Sequence, residues 1–246
     1  MQAISEPVLI PPGAATPALS LSVVCVDQTR LGEHIDALSG MGLSRLHIDI
    51  TEPAFGGALG LPLETLGDLR RTTRLPIDVH VMLTDPDPLL PEIADRGADA
   101  ICVHQRTMTG AVIRALRAVA RRGVRVGLAL DPGQHVDDET VVALEPDYLT
   151  VMSVVPGGAG RPFRRDALGT LRQAARLRAA GAVDRVEADG AVGPVTAPEL
   201  VRAGADQLVL GSTVFPDRVP NRARLAELRQ ALTNASHHPT RQGASS

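Results

Sequence analysis

Short runs of branched aliphatic residues recur along the chain, and each is followed by a segment whose apolar positions fall three or four apart. The first pattern predicts strands over 19–26, 46–50, 77–82, 100–104, 124–130, 148–152, 185–188 and 207–210. The second predicts helices over 30–40, 63–71, 89–96, 109–122, 140–144, 163–180, 198–203 and 222–232. Asp27 is placed to cap the first helix, whose apolar stripe is Leu31, Ile35 and Leu38. Gly97, Gly123, Gly181 and Gly204 stand where four of the helices must stop. Gly-Ala-Asp recurs just before two strands, at 97–99 and 204–206, as a tight turn handing a helix end to a strand.

Eight strands alternating with eight helices in 246 residues fit a closed (β/α)8 TIM barrel, a single domain over 18–233. An open doubly wound sheet is the alternative, but no G-x-G-x-x-G follows the first strand. Residues 1–17, with Pro11-Pro12-Gly13, read as a flexible lead-in, and 234–246 as a disordered polar tail. With one Tyr, three Phe and no Trp, the core must be aliphatic.

A net charge of −3 and no long Lys/Arg run argue against a nucleic-acid partner. No apolar stretch is long enough to span a membrane, and no secretory signal is visible, so a cytoplasmic protein is expected. Cys25 and Cys102 lack CxxC spacing and read as buried free thiols. Nothing in the sequence decides whether the chain forms a homo-oligomer.

Candidate chemistry gathers at the strand ends, the functional face of such a barrel. In the run Leu46-His47-Ile48-Asp49-Ile50, alternation puts His47 and Asp49 on one face and the aliphatic residues on the other. A carboxylate carried into a barrel needs a metal, a cation or a wet cavity beside it. His80 and Asp189 lie late in two further strands, and with His47 and Asp49 they form a donor set suited to a divalent ion. The spacing alone leaves open that these are hydrogen-bonded strand-end residues. His104 reads as a supporting residue. Glycine-bearing loops at Gly157, Gly158 and Gly160, at Gly190, and at Gly211-Ser212 could aim backbone N–H groups at a phosphate.

Together these residues resemble the ribulose-phosphate 3-epimerase family over about 19–215. Its His-x-Asp-x-Met-Asp-Gly-x-Phe segment resembles 47–55, its Leu-Pro-x-Asp-Val-His-Leu-Met segment 75–82, and its Met-Ser-Val-x-Pro-Gly-Phe-Gly-Gly-Gln-x-Phe segment 152–163. Its Val-Asp-Gly-Gly matches 188–191 and its Gly-Ser-x-x-Phe 211–215, while Ser22 stands at the family's first-strand Ser. The resemblance implies that His47, Asp49, His80 and Asp189 hold one divalent ion (Zn, Fe, Mn or Co). It also implies that Asp49 and Asp189 are the acid/base pair of a two-base proton transfer at C3 through a cis-enediolate. Ser22, Met82, Met152 and the glycine loops would bind the substrate, with D-ribulose 5-phosphate to D-xylulose 5-phosphate as the first expectation. The alternatives are another ketose phosphate, such as D-allulose 6-phosphate, or a non-catalytic phosphosugar-binding barrel.

Several positions depart from the family pattern. Met-Asp-Gly is Thr51-Glu52-Pro53, the phosphate-loop Phe-Gly-Gly-Gln is Gly158-Ala159-Gly160-Arg161, and the second Gly after Asp189 is Ala191. Arg161 is read either as a charge-assisted phosphate contact or as a solvated loop residue.

Overall fold

The computed structural model describes residues 16–237. Eight parallel strands close in chain order, with the last paired to the first. They are β1 (Ala18–Ser22), β2 (Arg45–Thr51), β3 (Ile77–Met82), β4 (Ala100–His104), β5 (Arg125–Leu130), β6 (Tyr148–Met152), β7 (Arg185–Asp189) and β8 (Gln207–Leu210). The α-helices are α1 (Leu31–Ser39), α2 (Pro53–Gly56), α3 (Leu63–Thr72), α4 (Leu90–Asp95), α5 (Gly110–Ala120), α6 (Asp138–Leu144), α7 (Ala167–Ala179), α8 (Ala197–Ala203) and α9 (Arg222–His237). This is the single (β/α)8 barrel expected from the alternation of elements. No helix among the described residues is long and apolar enough to cross a membrane. Residues 1–15 and those beyond His237, parts of the expected lead-in and tail, lie outside the described residues.

Four elements differ from expectation; one is α9, which runs five residues past its expected end at 232, to His237. β1 stops at Ser22 because Val23–Cys25 turns as a 3-10 helix, yet Val23 and Val26 stay wholly buried. The apolar run there serves packing, not pairing. α7 begins at Ala167 rather than 163, since the preceding residues are tied back over the sheet by Arg164 N–H donating to Ser153 O (2.8 Å). The loop after β2 contains α2, started by Pro53 and closed by Gly57 in the left-handed conformation.

Strand alternation sorts the side chains into two populations. Leu46, Ile48 and Ile50 of β2, Ile77, Val79 and Val81 of β3, and Leu149 and Val151 of β6 pack outward beneath the helices, in the main hydrophobic core. Fully burying each such side chain favours folding by about 1.5–3 kcal/mol. The inward positions are largely polar. A small apolar cluster inside the barrel consists of Ala100, Cys102, Ala129 and Tyr148, and both cysteines are free and buried.

The acids preceding β4, β6 and β8 have a structural task. Asp99, Asp147 and Asp206 accept the backbone N–H of Ile77 (2.7 Å), Val126 (2.7 Å) and Val186 (3.1 Å), at the starts of the neighbouring strands β3, β5 and β7. Those N–H groups open a strand and have no ladder partner below them, so a carboxylate satisfies them. The Asp of both Gly-Ala-Asp turns is thus a strand cap, delivered by a left-handed glycine (Gly97 φ 98°, Gly204 φ 118°).

Inside the barrel, Tyr148 lies across β5 where Gly127 leaves room for its ring. A Cβ at Gly127 would sit 2.4 Å from Tyr148 Cζ. The Tyr148 hydroxyl donates to Asp78 Oδ1 (2.6 Å), and the Arg185 guanidinium stacks 4.0 Å from the ring centroid. Gly127→Ala is therefore expected to destabilise the protein by about 1–3 kcal/mol through overpacking, measured as a lowered urea midpoint.

Candidate active site

Parity along β2, β3 and β7 brings the expected residues together. In the β2–β3 register His47 pairs with Asp78, Asp49 with His80 and Thr51 with Met82, so inward side chains stack in layers toward the carboxyl ends. His47 Nε2 lies 3.4 Å from Asp49 Oδ1 and 3.6 Å from Asp189 Oδ2. His80 Nδ1 lies 3.5 Å from each of the same two oxygens. Both rings are fully buried, whereas the two carboxylates are 13% exposed and border the cavity above.

These four donor atoms fit a divalent cation. All of them lie within 4.8 Å of one another. Bonds of about 2.1 Å from nitrogen and oxygen ligands to a tetrahedral ion imply donor separations near 3.4 Å, close to the spacings found. His47 Nε2 and His80 Nδ1 are buried and make no hydrogen bond, a costly state unless something else occupies their lone pairs.

Without a cation, the site neutralises itself. Burial opposes charge on His47, but Asp49, Asp189 and Glu187 outweigh it and hold its pKa well above the ordinary value. Burial likewise opposes charge on His80, yet the Asp189 and Asp49 carboxylates, each 3.5 Å away, hold its pKa up at about 9. Asp49 is pulled below the usual carboxylate range: desolvation works against ionisation, and the two imidazoles overcome it. Ser22 Oγ donates to Asp49 Oδ2 (2.8 Å), leaving Oδ1 to face the imidazoles.

Above the donors opens a solvent-facing cavity. Ser22, Met82 and Met152 line it, as do the glycine-bearing segments at Gly157, Gly158 and Gly160, at Gly190, and at Gly211-Ser212. Every residue expected to touch substrate therefore faces one space. Cys25 also borders it, its thiol pKa raised to about 11 by burial.

Arg161 borders the same cavity and is engaged with backbone. Its guanidinium donates to the carbonyls of Pro156 (3.0 Å) and Gly157 (3.3 Å), and across to Gly56 (2.6 Å) in α2. It staples the loop after β6 to the loop after β2. The two backbones touch at Gly56 and Gly157, where a Cβ on either would lie under 2.5 Å from the other's Cα. Thr51, at the position of a family Met, presents a buried hydroxyl with no hydrogen-bond partner and lines the cavity.

Several residues near the site escaped the sequence reading. Glu187, two before Asp189 on the same strand face, sits with Oε1 3.9 Å from His47 Nδ1. Asp131, just past β5, lies with Oδ1 3.0 Å from His104 Nδ1. Alternation through Asp189 signals the first; nothing local signals the second, because the pairing of β5 with β4 brings it to His104.

A model of the ribulose-phosphate 3 epimerase family matches residues 18–215. The ribulose-phosphate 3-epimerase of Bacillus subtilis is 32% identical over 201 residues, covering 79% of this chain and 90% of its own. That of Aquifex aeolicus is 31% identical over 203 residues (80% and 89%), and the chloroplastic ribulose-5-phosphate-3-epimerase of Arabidopsis thaliana 30% over 199 (80% and 71%). Among solved structures, the 3-hexulose-6-phosphate synthase of Salmonella typhimurium superposes with a TM-score of 0.64 at 18% identity, covering 89% of this chain and 99% of that one. Phosphoribosyl anthranilate isomerase of Thermus thermophilus gives 0.63 at 15% (88% and 98%). At such identities these two share the fold.

Two outcomes follow from this geometry. Because His80 holds a proton below about pH 9, a cation must displace it. Apparent affinity for Zn²⁺ should fall as pH drops from 9 to 6, by about tenfold per unit for each proton released. Calorimetric titration in two buffers of different ionisation enthalpy counts those protons. Ala191 sits at φ 48°, where a Cβ costs about 1–2 kcal/mol. Ala191→Gly should therefore leave the melting temperature unchanged or higher, whereas the same exchange on ordinary backbone lowers it.

Proposed function

The chain belongs to the ribulose-phosphate 3-epimerase family, and from that membership we propose a divalent-cation-dependent 3-epimerase acting on a ketose phosphate, first of all D-ribulose 5-phosphate to D-xylulose 5-phosphate. The observation that carries this reading is the pair of carboxylates. Asp49 from β2 and Asp189 from β7 border one cavity, and each keeps an oxygen within 3.6 Å of both buried imidazoles.

Inversion at a carbon beside a carbonyl requires a proton to leave one face and another to arrive at the opposite face. A single acid cannot serve both faces of a planar intermediate without moving. In this reading one carboxylate takes the C3 proton while the other, protonated, returns one from across the plane, and the roles exchange in the reverse direction. Ser22 holds Asp49 by one oxygen and so fixes the direction of the other. Met82 and Met152, each 3% exposed, give the intermediate a polarizable wall that neither accepts nor donates a proton. A divalent ion held by His47, Asp49, His80 and Asp189 would supply positive charge against the developing oxyanions. The segments at Gly157–Gly160, Gly190-Ala191 and Gly211-Ser212 supply backbone N–H groups for the phosphate without side-chain bulk.

Thr51 favours a second substrate within the same chemistry. Its unpartnered hydroxyl in the cavity wall, in place of a longer thioether, suits a ketose phosphate with one more hydroxylated carbon, such as D-allulose 6-phosphate. Measuring kcat/KM on both sugar phosphates ranks the two, and Thr51→Met should move the ratio toward the pentulose. A barrel that only binds a phosphosugar would have no use for two opposed acids.

Asp49→Asn and Asp189→Asn should each lower kcat by about 10²–10⁴-fold or more and stop exchange of the C3 proton with deuterated solvent, with circular dichroism unchanged. Near-full turnover in either variant would refute the two-base assignment.

A further inference from the structure

Beside the proposed ligand His80 the fold places a second imidazole. His104, the last residue of β4, is wholly buried, and its ring lies edge to edge with the His80 ring, 4.9 Å between centroids and 14° between planes. The two Nε2 atoms are 2.9 Å apart. On its other edge His104 Nδ1 lies 3.0 Å from Asp131 Oδ1. Asp131 Oδ2 in turn lies 3.2 Å from the Arg106 guanidinium. Arg106 is itself fixed, 3.8 Å over the Phe55 ring and donating to Phe55 O (3.1 Å).

Counting protons along this row leaves one arrangement. A neutral imidazole has one N–H and one lone pair. If His80 Nδ1 offers its lone pair among the four donors, its proton is on Nε2 and points at His104 Nε2. That atom must then accept, so the His104 proton is on Nδ1, beside Asp131. An ionised carboxylate accepts and cannot donate, so the order cannot reverse from that end. Starting instead with a proton on His80 Nδ1 would aim an N–H at the centre of the donor set.

We propose that His104 and Asp131 are positioning residues: Asp131 fixes the ring proton of His104, and His104 thereby fixes His80 with its Nδ1 lone pair toward the cation. The inference rests on the four-donor reading given above. Outer partners of metal-binding histidines commonly act in this way, and losing one costs about 10–100-fold in metal affinity. Here the partner acts through a second imidazole, so the order of two protons is set by one acid.

Asp131→Asn is the decisive variant, since it changes no volume. Arg106 draws the amide oxygen to itself, which turns the amide NH2 toward His104 Nδ1. His104 then carries its proton on Nε2, against His80 Nε2, and drives the His80 proton to the ligating atom. Zn²⁺ affinity, measured by competition with a chromophoric chelator, should fall by about 10–100-fold in Asp131→Asn and in His104→Leu. His104→Gln, whose side-chain oxygen can accept from His80, should recover most of it. Long-range ¹⁵N–¹H correlation spectra of the Zn²⁺-loaded protein should show the His80 proton on Nε2 in the unaltered chain. Affinity within about twofold of the unaltered chain in both Asp131→Asn and His104→Leu would overturn the proposal, as would a His80 proton on Nδ1 in the unaltered, loaded protein. If His104→Leu does not fold, Asp131→Asn decides alone. Failure of the unaltered chain to take up Zn²⁺ would instead overturn the four-donor reading, and this proposal with it.

Discussion

Carboxylates inside a closed sheet have little water to turn to, and the interior of this barrel is organised by the need to answer each of them with a cation. At the amino-terminal end the answer is permanent. Asp78 lies 3.5 Å from Arg185 and 3.8 Å from Arg45, and Glu187 shares their field. The sharing is uneven: burial raises the Glu187 pKa and the neighbouring Asp78 charge adds to it, whereas His47 and the two arginines keep Asp78 below its ordinary value despite burial. Thr150 and Gln207 donate to Glu187 and complete its surroundings. At the carboxyl end the counter-charges are imidazoles, which give up a proton and offer a lone pair at the same atom. One architecture thus carries a fixed charge cluster below and an exchangeable one above, with His47 between them, Nε2 on the upper acids and Nδ1 toward Glu187.

That arrangement explains which parts of the molecule were legible in the chain. Alternation in Leu46-His47-Ile48-Asp49-Ile50 is local, so it announces both the strand and the face on which its acid lies. The repeating strand and helix periods likewise announce eight βα units and, through them, the mouth where Asp49, His80 and Asp189 meet. Contacts set by strand pairing and by closure are silent in the sequence. Asp131 is 27 residues from His104 in number, and nothing in Asp131-Pro132-Gly133 distinguishes a buried partner from an ordinary turn residue. Arg161 shows the same limit from the other side: its role depends on carbonyls in a loop that only barrel closure brings near. The misjudged bounds have different causes: at 23–26 apolar residues pack without pairing, whereas Phe163-Arg164-Arg165-Asp166 is held out of α7 by the Arg164 N–H bond to Ser153 O, a long-range contact that periodicity does not show.

Apart from Thr51 at the end of β2, the departures from the family pattern fall on loops, and the residues that would handle protons and a cation fall on strands. His47, His80 and Asp189 are fixed by backbone ladders on both sides and Asp49 by its ladder to β3, so their spacing tolerates change around them. The loops after β2 and β6 lack such support and must be held by contacts of their own. Here Gly56 meets Gly157 with no room for a side chain, and Arg161 ties three carbonyls across the junction. The Nη1 and Nη2 groups of Arg161 are engaged with these carbonyls, while its side chain and the joined loops border the cavity. Sequence drift at Thr51 and at 158–161 is then expected to alter which sugar phosphate fits while leaving the proton chemistry beneath it in place.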